Sequence, residues 1–181
     1  MLGAAVVVMA IVAILWSDPG APPVVRGTLA PRFDLRMLGT PPGASAERLD
    51  LASFSGKVVL VNFWATWCEP CEREMPAMER LYLDLRDEEF ALIAVAIDEV
   101  EGDVESFQSD YGLSFPIVLD LDQSVYQSYQ TMGVPESLLL DRDGRIIERY
   151  VGPREWDAPE HVKRIRSLIA EDPQRPPREN R

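Results

Sequence analysis

Two thiols separated by two residues, Cys68-Glu69-Pro70-Cys71, are the only cysteines in a chain of 181 residues. Such a pair, at the junction of a hydrophobic strand and a helix, can open and close a disulfide with little movement of the backbone. A helix N-terminus stabilises negative charge and therefore the thiolate, the reactive form of cysteine. Two other uses of the pair compete with redox exchange. A closed zinc site needs four Cys or His ligands, and the chain offers these two cysteines and the single His161. A purely structural disulfide across so short a loop adds little stability, because the gain grows with the length of loop closed. Reversible thiol–disulfide chemistry is the reading the residues favour.

The elements that must hold the thiols are legible around them. Val58 to Trp64 is apolar and β-branched except for Asn62, as expected of a central strand buried on both faces. Pro70 suits the first turn of a helix, where its missing N–H goes unmissed. Met75, Met78, Leu81, Tyr82 and Leu85 then recur at helical spacing and read as core, with Pro76 expected to kink the helix. Further strands are expected at Arg32–Leu38, Arg48–Leu51, Ala91–Ile97, Ser114–Leu119, Ser137–Leu140 and Ile146–Val151. The last two are joined by Asp141-Arg142-Asp143-Gly144, whose Asp-Gly step marks a hairpin. Helices are expected at Val104–Tyr111, Ser124–Thr131 and His161–Ala170, the last opened by a capping box of Asp157 and Glu160. His161 lies far along the chain from the thiols and reads as structural. The alternation of strands and helices, closed by a hairpin and a helix, gives an α/β fold with a mixed sheet. The thiols sit at the carboxyl end of a central strand, where open sheets of this kind bind ligands.

Composition sets the outer limits. Apolar residues at 46% and charged residues at 27% suit a folded domain with a core. A net charge of −12, with no basic stripe, excludes nucleic acid as a natural partner. Leu2 to Trp16 is an uninterrupted apolar run. As a helix it would reach roughly 22 Å against a hydrocarbon core of about 30 Å. We expect residues 1–17 to be a membrane anchor or signal segment, 18–31 a linker rich in Pro, Gly and Ala, 32–171 the folded domain, and 172–181 a disordered tail. No Lys or Arg precedes the run, while Arg26, Arg32 and Arg36 follow it, so a literal positive-inside count would leave the body in the cytoplasm. A start lacking its basic residues would mislead that count, and the expectation adopted is an outward-facing domain.

Val59-Leu60-Val61-Asn62-Phe63-Trp64-Ala65-Thr66-Trp67-Cys68-Glu69-Pro70-Cys71, with Glu74 and Pro76 behind it, resembles a thioredoxin-fold thiol–disulfide oxidoreductase. More narrowly it resembles the membrane-anchored TlpA/ResA/CcmG-like branch found outside the bacterial cytoplasmic membrane. The resemblance runs from about Ala30 to Ala170. It takes in Ala30-Pro31-x-Phe33, Gly56-Lys57, Ile97-Asp98, Gly133-Val134-Pro135-Glu136-Ser137, Leu140-Asp141 and Gly144. It implies a thioredoxin-like fold with an N-terminal β extension and an inserted strand–helix. It also implies that Cys68 is the exposed attacking thiol and Cys71 the buried resolving one, an asymmetry the exchange requires. Pro135 matches the family's cis-proline facing the thiols, and Trp67, Val134 and Pro135 would contact substrate, with Val134 pairing its backbone with a peptide. Glu136 stands where many relatives have Thr. No cofactor and no metal are implied. The implied partners are protein thiols and disulfides, apocytochrome c among them, and a membrane thiol reductant as electron donor. The implied location is a single-pass protein of the bacterial cytoplasmic membrane with its catalytic domain on the periplasmic side.

One departure from cytoplasmic thioredoxins is the replacement of their buried aspartate by Asn62, which cannot relay a proton. Glu74, three residues after Cys71, takes the position of an active-site glutamate in ResA-like proteins, one helical turn on and within reach of Cys71. Its alternative is a helix-start surface carboxylate. Glu69, Glu72 and Glu74 together would crowd the thiols with negative charge, disfavouring a very low thiol pKa and so favouring a reductant over an oxidant. A thiol peroxidase would need Pro at Val61 and Thr at Ala65, and has neither. A non-enzymatic redox or copper-handling module would add a His or Met beside the thiols, and the only histidine lies in the final helix.

Overall fold

The computed structural model describes residues 22–39 and 48–171. The expected anchor and tail, and the first residues of the expected linker, lie outside the described residues. Among the described residues no helix is long and apolar enough to cross a membrane.

Seven strands form one mixed sheet: β1 (Asp34–Met37), β2 (Arg48–Asp50), β3 (Val58–Trp64), β4 (Phe90–Ala96), β5 (Ile117–Leu119), β6 (Glu136–Leu140) and β7 (Ile146–Val151). Their order across the sheet is β2-β1-β5-β4-β3-β6-β7. The helices are α1 (Glu69–Leu85), α2 (Glu101–Tyr111), α3 (Ser124–Ser128) and α4 (Pro159–Ile169), with a 3-10 turn over Leu51–Phe54. β3, β4 and β5 run parallel through the crossover helices α1 and α2. Because both crossovers advance in the same direction across the sheet, right-handedness puts both helices on one face. Contacts bear this out: Tyr111 of α2 donates to Glu72 of α1, and Arg80 of α1 pairs with Asp157 just before α4. Short α3 covers the other face, where Tyr126 and Tyr129 pack their rings 6.1 and 5.1 Å from Phe63. This is the thioredoxin-like architecture the sequence led us to expect.

Every residue of β3 and β4 is buried. Their almost wholly apolar content, with Asn62 the one polar residue, follows from cover on both faces, since neither face needs polar residues for solvent. Truncating one of them, Leu60→Ala for example, should cost about 2–5 kcal/mol in lost transfer energy and cavity.

Several boundaries differ from the sequence expectations, each for a local reason. α1 runs on through Pro76, the residue expected to kink it, which lies on the exposed side and lacks the N–H that would bond the Glu72 carbonyl. The strand expected from Ser114 begins at Ile117, because Ser114 is drawn to α1 by its backbone N–H, which donates to Glu79 at 2.8 Å. α3 ends at Ser128, before Gln130 turns to φ +53. Asp157 does not cap α4: its carboxylate is held by Arg80 at 2.6 Å, and Ala158 occupies the cap with no side-chain bond. Pro159 in the first turn makes the missing cap less costly. Residues 22–31 were expected to belong to a linker, yet they are tied to the domain. Leu29 bridges Arg145, Gly27 N–H donates to the Ile146 carbonyl at 2.7 Å, and Ile146 N–H returns a bond to Thr28 at 2.9 Å.

Candidate active site

β3 ends at Trp64, and the chain turns through Ala65–Trp67 into α1. Asp98, buried just beyond β4, holds that turn by accepting from Thr66 N–H at 3.0 Å and from Thr66 Oγ1 at 2.5 Å. Asp98 appeared in the sequence only as part of a motif; its bond to Thr66 needs the parallel β3–β4 register to be seen. Cys68 is then the N-cap of α1, and its Sγ accepts from Cys71 N–H at 3.2 Å. A sulfur at that place faces the unpaired N–H groups of the first turn, the local origin of a stabilised thiolate. Cys68 and Cys71 are joined in a disulfide with their Cα atoms 5.2 Å apart.

The expected exposure of Cys68 needs correction. Cys68 is 5% exposed and Cys71 0%, so both residues are buried in the oxidised protein and only the order of exposure is as expected. The open surface beside them is Trp67, 67% exposed.

Glu74, one turn after Cys71, points into the protein and is 2% exposed, which removes the surface-carboxylate reading. Its Oε1 accepts from Asn62 Nδ2 at 2.9 Å; its Oε2 accepts from Arg154 N–H at 3.1 Å and from Trp156 Nε1 at 3.3 Å. Burial pushes the Glu74 carboxyl up to about 7, against the opposing pull of those three donors. The Asn62 amide also donates to Ser137 Oγ at 2.9 Å, so β3, β6 and α1 meet at this one side chain. Arg154 and Trp156 were not found from sequence, because they come from the segment after β7 and nothing local marks their approach to α1.

The expected crowding of three carboxylates at the thiols is largely dispersed. Glu69 is exposed and paired with Arg73 at 2.5 Å, Glu72 accepts from the Tyr111 hydroxyl, and Glu74 is buried among neutral donors. His161 packs its ring 5.0 Å from Trp156 and 5.7 Å from Tyr150, behind the indole that donates to Glu74.

Antiparallel pairing sets Glu136 of β6 opposite Phe63, so the preceding Pro135 lies at the thiol end of the sheet. The Val134–Pro135 bond is cis. Pro135 is buried with its carbonyl accepting from Gly152 N–H at 2.9 Å, while Val134 is half-buried and Met132 is 87% exposed. Glu136, 1% exposed, forms an ion pair with Arg149 of β7 that the sequence did not reveal.

The model of the AhpC/TSA family matches residues 27–149, a span that contains the thiols, Glu74 and the cis-proline together. The chain belongs to that family. It is 35% identical over 144 residues to the thiol-disulfide oxidoreductase ResA of Geobacillus thermodenitrificans, covering 79% of each protein. The match to ResA of Bacillus subtilis is 32% over 133 residues, covering 74% of this chain and 71% of that one. Against ResA of Bacillus anthracis the identity is 39%, and the chain spans 61% of that relative's length. Among solved structures, a Chlorobium tepidum protein assigned as the thiol:disulfide interchange protein DsbE superposes with a TM-score of 0.71 at 28% identity, covering 80% of this chain and 98% of that one. StoA from Bacillus subtilis shares the fold, with a TM-score of 0.61 at 23% identity over 77% of this chain and 97% of its own.

Proposed function

We propose that this protein is a thiol–disulfide oxidoreductase that works as a dithiol reductant of protein disulfides. The observation that carries the reading is the Cys68–Cys71 disulfide at the start of α1, with a buried carboxyl poised near neutrality one turn behind it. In the reduced protein the Cys68 thiolate attacks a substrate disulfide, forming a mixed disulfide and expelling one substrate thiolate. Glu74 takes the proton from Cys71, whose thiolate then attacks Cys68 Sγ and expels the second substrate thiolate. Two electrons pass to the substrate, the Cys68–Cys71 bond closes, and a further dithiol must supply the electrons for the next cycle.

Trp67 and Val134 would form the docking surface, with Val134 offering its backbone to an extended peptide beside Pro135. The relatives named ResA and the structure assigned as DsbE support the redox chemistry. The preference for reduction over oxidation rests on Glu72 and Glu74, the two of the three expected carboxylates that form no ion pair among the described residues. Residues 1–17 would anchor the protein with residues 32–171 outside the cytoplasm, where apocytochrome c thiols before haem attachment suit a reductant and a membrane thiol reductant would donate electrons.

Trapping tests the roles directly. Cys71→Ala should accumulate mixed disulfides with partner proteins and Cys68→Ala almost none; equal trapping by both would overturn the assignment. Alkaline phosphatase fused to the C-terminus should be active if the domain is exported, and an inactive fusion would contradict the proposed location. The reduction potential of the Cys68–Cys71 pair separates a reductant from an oxidant: a value as oxidising as about −120 mV would reverse the direction proposed.

A further inference from the structure

The segment that presents Val134 and Pro135 is fastened from behind by the N-terminal residues. Gln130 reaches back to the chain at Pro22–Val24: its Nε2 donates to the Pro22 carbonyl at 3.1 Å and its Oε1 accepts from Val24 N–H at 3.2 Å. One amide side chain thus satisfies a backbone acceptor and a backbone donor, as a neighbouring strand would. Gln130 does so from φ +53, a left-handed conformation that residues other than Gly and Asn rarely adopt unless the surroundings impose it. Arg149 fastens the same parts from β7. Its Nη2 donates to the Val24 carbonyl at 3.1 Å and to the Tyr129 carbonyl at 2.9 Å, while Nη1 pairs with Glu136. Glu136 Oε2 in turn accepts from Met132 N–H at 3.4 Å.

The loop from Tyr129 to Glu136 is therefore held at both ends and in the middle, and Val24, 7% exposed, is packed into the clamp. Nothing in the exchange of electrons at Cys68 and Cys71 requires these bonds. They fix where the backbone of Val134 stands.

We propose that Gln130 and Arg149 are positioning residues for substrate docking, and that Pro22–Val24 is a strap belonging to the docking platform rather than a passive tether. The proposal rests on the reading that Val134 pairs its backbone with a substrate peptide. A protein disulfide must meet that backbone in register, whereas a small aromatic disulfide has no peptide to align and reaches the sulfur without it. Loosening the strap should then discriminate between the two.

Two full-length variants test this. Gln130→Asn tolerates the left-handed backbone but is one methylene too short to bridge Pro22 and Val24. Arg149→Lys keeps a cation for Glu136 but lacks the fork that reaches Val24 and Tyr129 together. Each should raise KM for insulin reduction by roughly three- to tenfold, the effect of one or two hydrogen bonds lost from docking. The loss toward insulin should exceed the loss toward 5,5′-dithiobis(2-nitrobenzoate) at least threefold. Equal losses with both substrates, or no loss with either, would overturn the proposal. Amide hydrogen exchange at Met132 and Val134, which needs no turnover, should quicken in both variants; unchanged exchange would show that no clamp exists. Failure of the wild-type protein to reduce either disulfide would instead refute the redox function and leave the exchange result to judge the strap.

Discussion

Two buried glutamates at the thiol end of the sheet have opposite surroundings, and the sheet itself separates them. Asn62 and Ser137 face α1, and Glu74 joins them there; Phe63 and Glu136, one residue along each strand, face α3. Glu136 has a guanidinium, Arg149, against it. Glu74 has three neutral donors and no cation in hydrogen-bond contact. Burial costs a charge its hydration in both places, but a cation in direct contact offsets that cost only at Glu136, while at Glu74 the more distant Arg154 charge leaves desolvation dominant. The carboxylate with the cation is fitted to hold a loop, and the one without is fitted to exchange a proton near neutrality.

The largest effect should come from removing the cation. Arg149→Met leaves Glu136 buried without a cation, only the Met132 N–H remaining to it, and should destabilise the fold by about 3–5 kcal/mol, read from chemical denaturation. A loss below ~1 kcal/mol would mean that Glu136 is solvated after all. The double variant Arg149→Met with Glu136→Gln should recover much of that loss, because no buried charge then remains.

Glu74 should make stability depend on pH with the opposite sign to a salt-bridged carboxylate. Its carboxyl sits at about 7 in the fold against an ordinary 4.5, so folding favours the protonated form. That stability is complete below the unfolded value and is lost as pH rises through 7, by roughly 3 kcal/mol in all. Glu74→Gln should flatten the decline between these pH values, leaving a smaller slope from Asp120, which burial also pushes up. A decline as steep in the variant as in the wild type would assign it elsewhere.

Trp156→Phe removes one donor to Glu74 while keeping most of the ring, and should raise the Glu74 pKa further, seen by following its carboxyl resonance against pH. A downward move would show that the indole acts by excluding water and not by its N–H. The smallest effect is expected at Glu69, exposed and paired only with Arg73 at i,i+4: Glu69→Gln should leave the denaturation midpoint within experimental scatter.

What the sequence reveals of this comparison is uneven. The strand Val58–Trp64, the thiols at a helix start and the position of Glu74 are all local patterns, since each depends on spacing within one element. The partners of Glu74 are not local: Arg154 and Trp156 reach it from 80 and 82 residues away, through the packing of the final segment on α1. The Arg149–Glu136 pair is not legible from the turn either. Asp141–Gly144 pairs Leu140 with Ile146, a register that alone would set Glu148 opposite Leu138; the irregularity between Leu139 and Leu140 shifts it by one, so Arg149 stands opposite Leu138 and on the same face as Glu136 two residues away. Asp157 and Glu160 show the reverse failure, a good local pattern displaced by a stronger tertiary partner, Arg80. Residues 22–31 read as linker because Pro and Gly suit an extended chain, and an extended chain is also what lies along Ile146 and Gln130.

The central claim is that the carboxyl of Glu74 handles the proton of Cys71, and the pH dependence of turnover tests it most directly. The rate of protein disulfide reduction should be measured across pH 5 to 9 for the wild type and for Glu74→Gln. The wild-type profile should carry a limb near pH 7, the value at which this buried carboxyl titrates. The variant should lose that limb and run slower by roughly tenfold or more, the lower range for a general acid–base group. A profile unchanged in shape and height would contradict the claim, leave Glu74 a structural hub for Asn62, Arg154 and Trp156, and send the proton of Cys71 away through water.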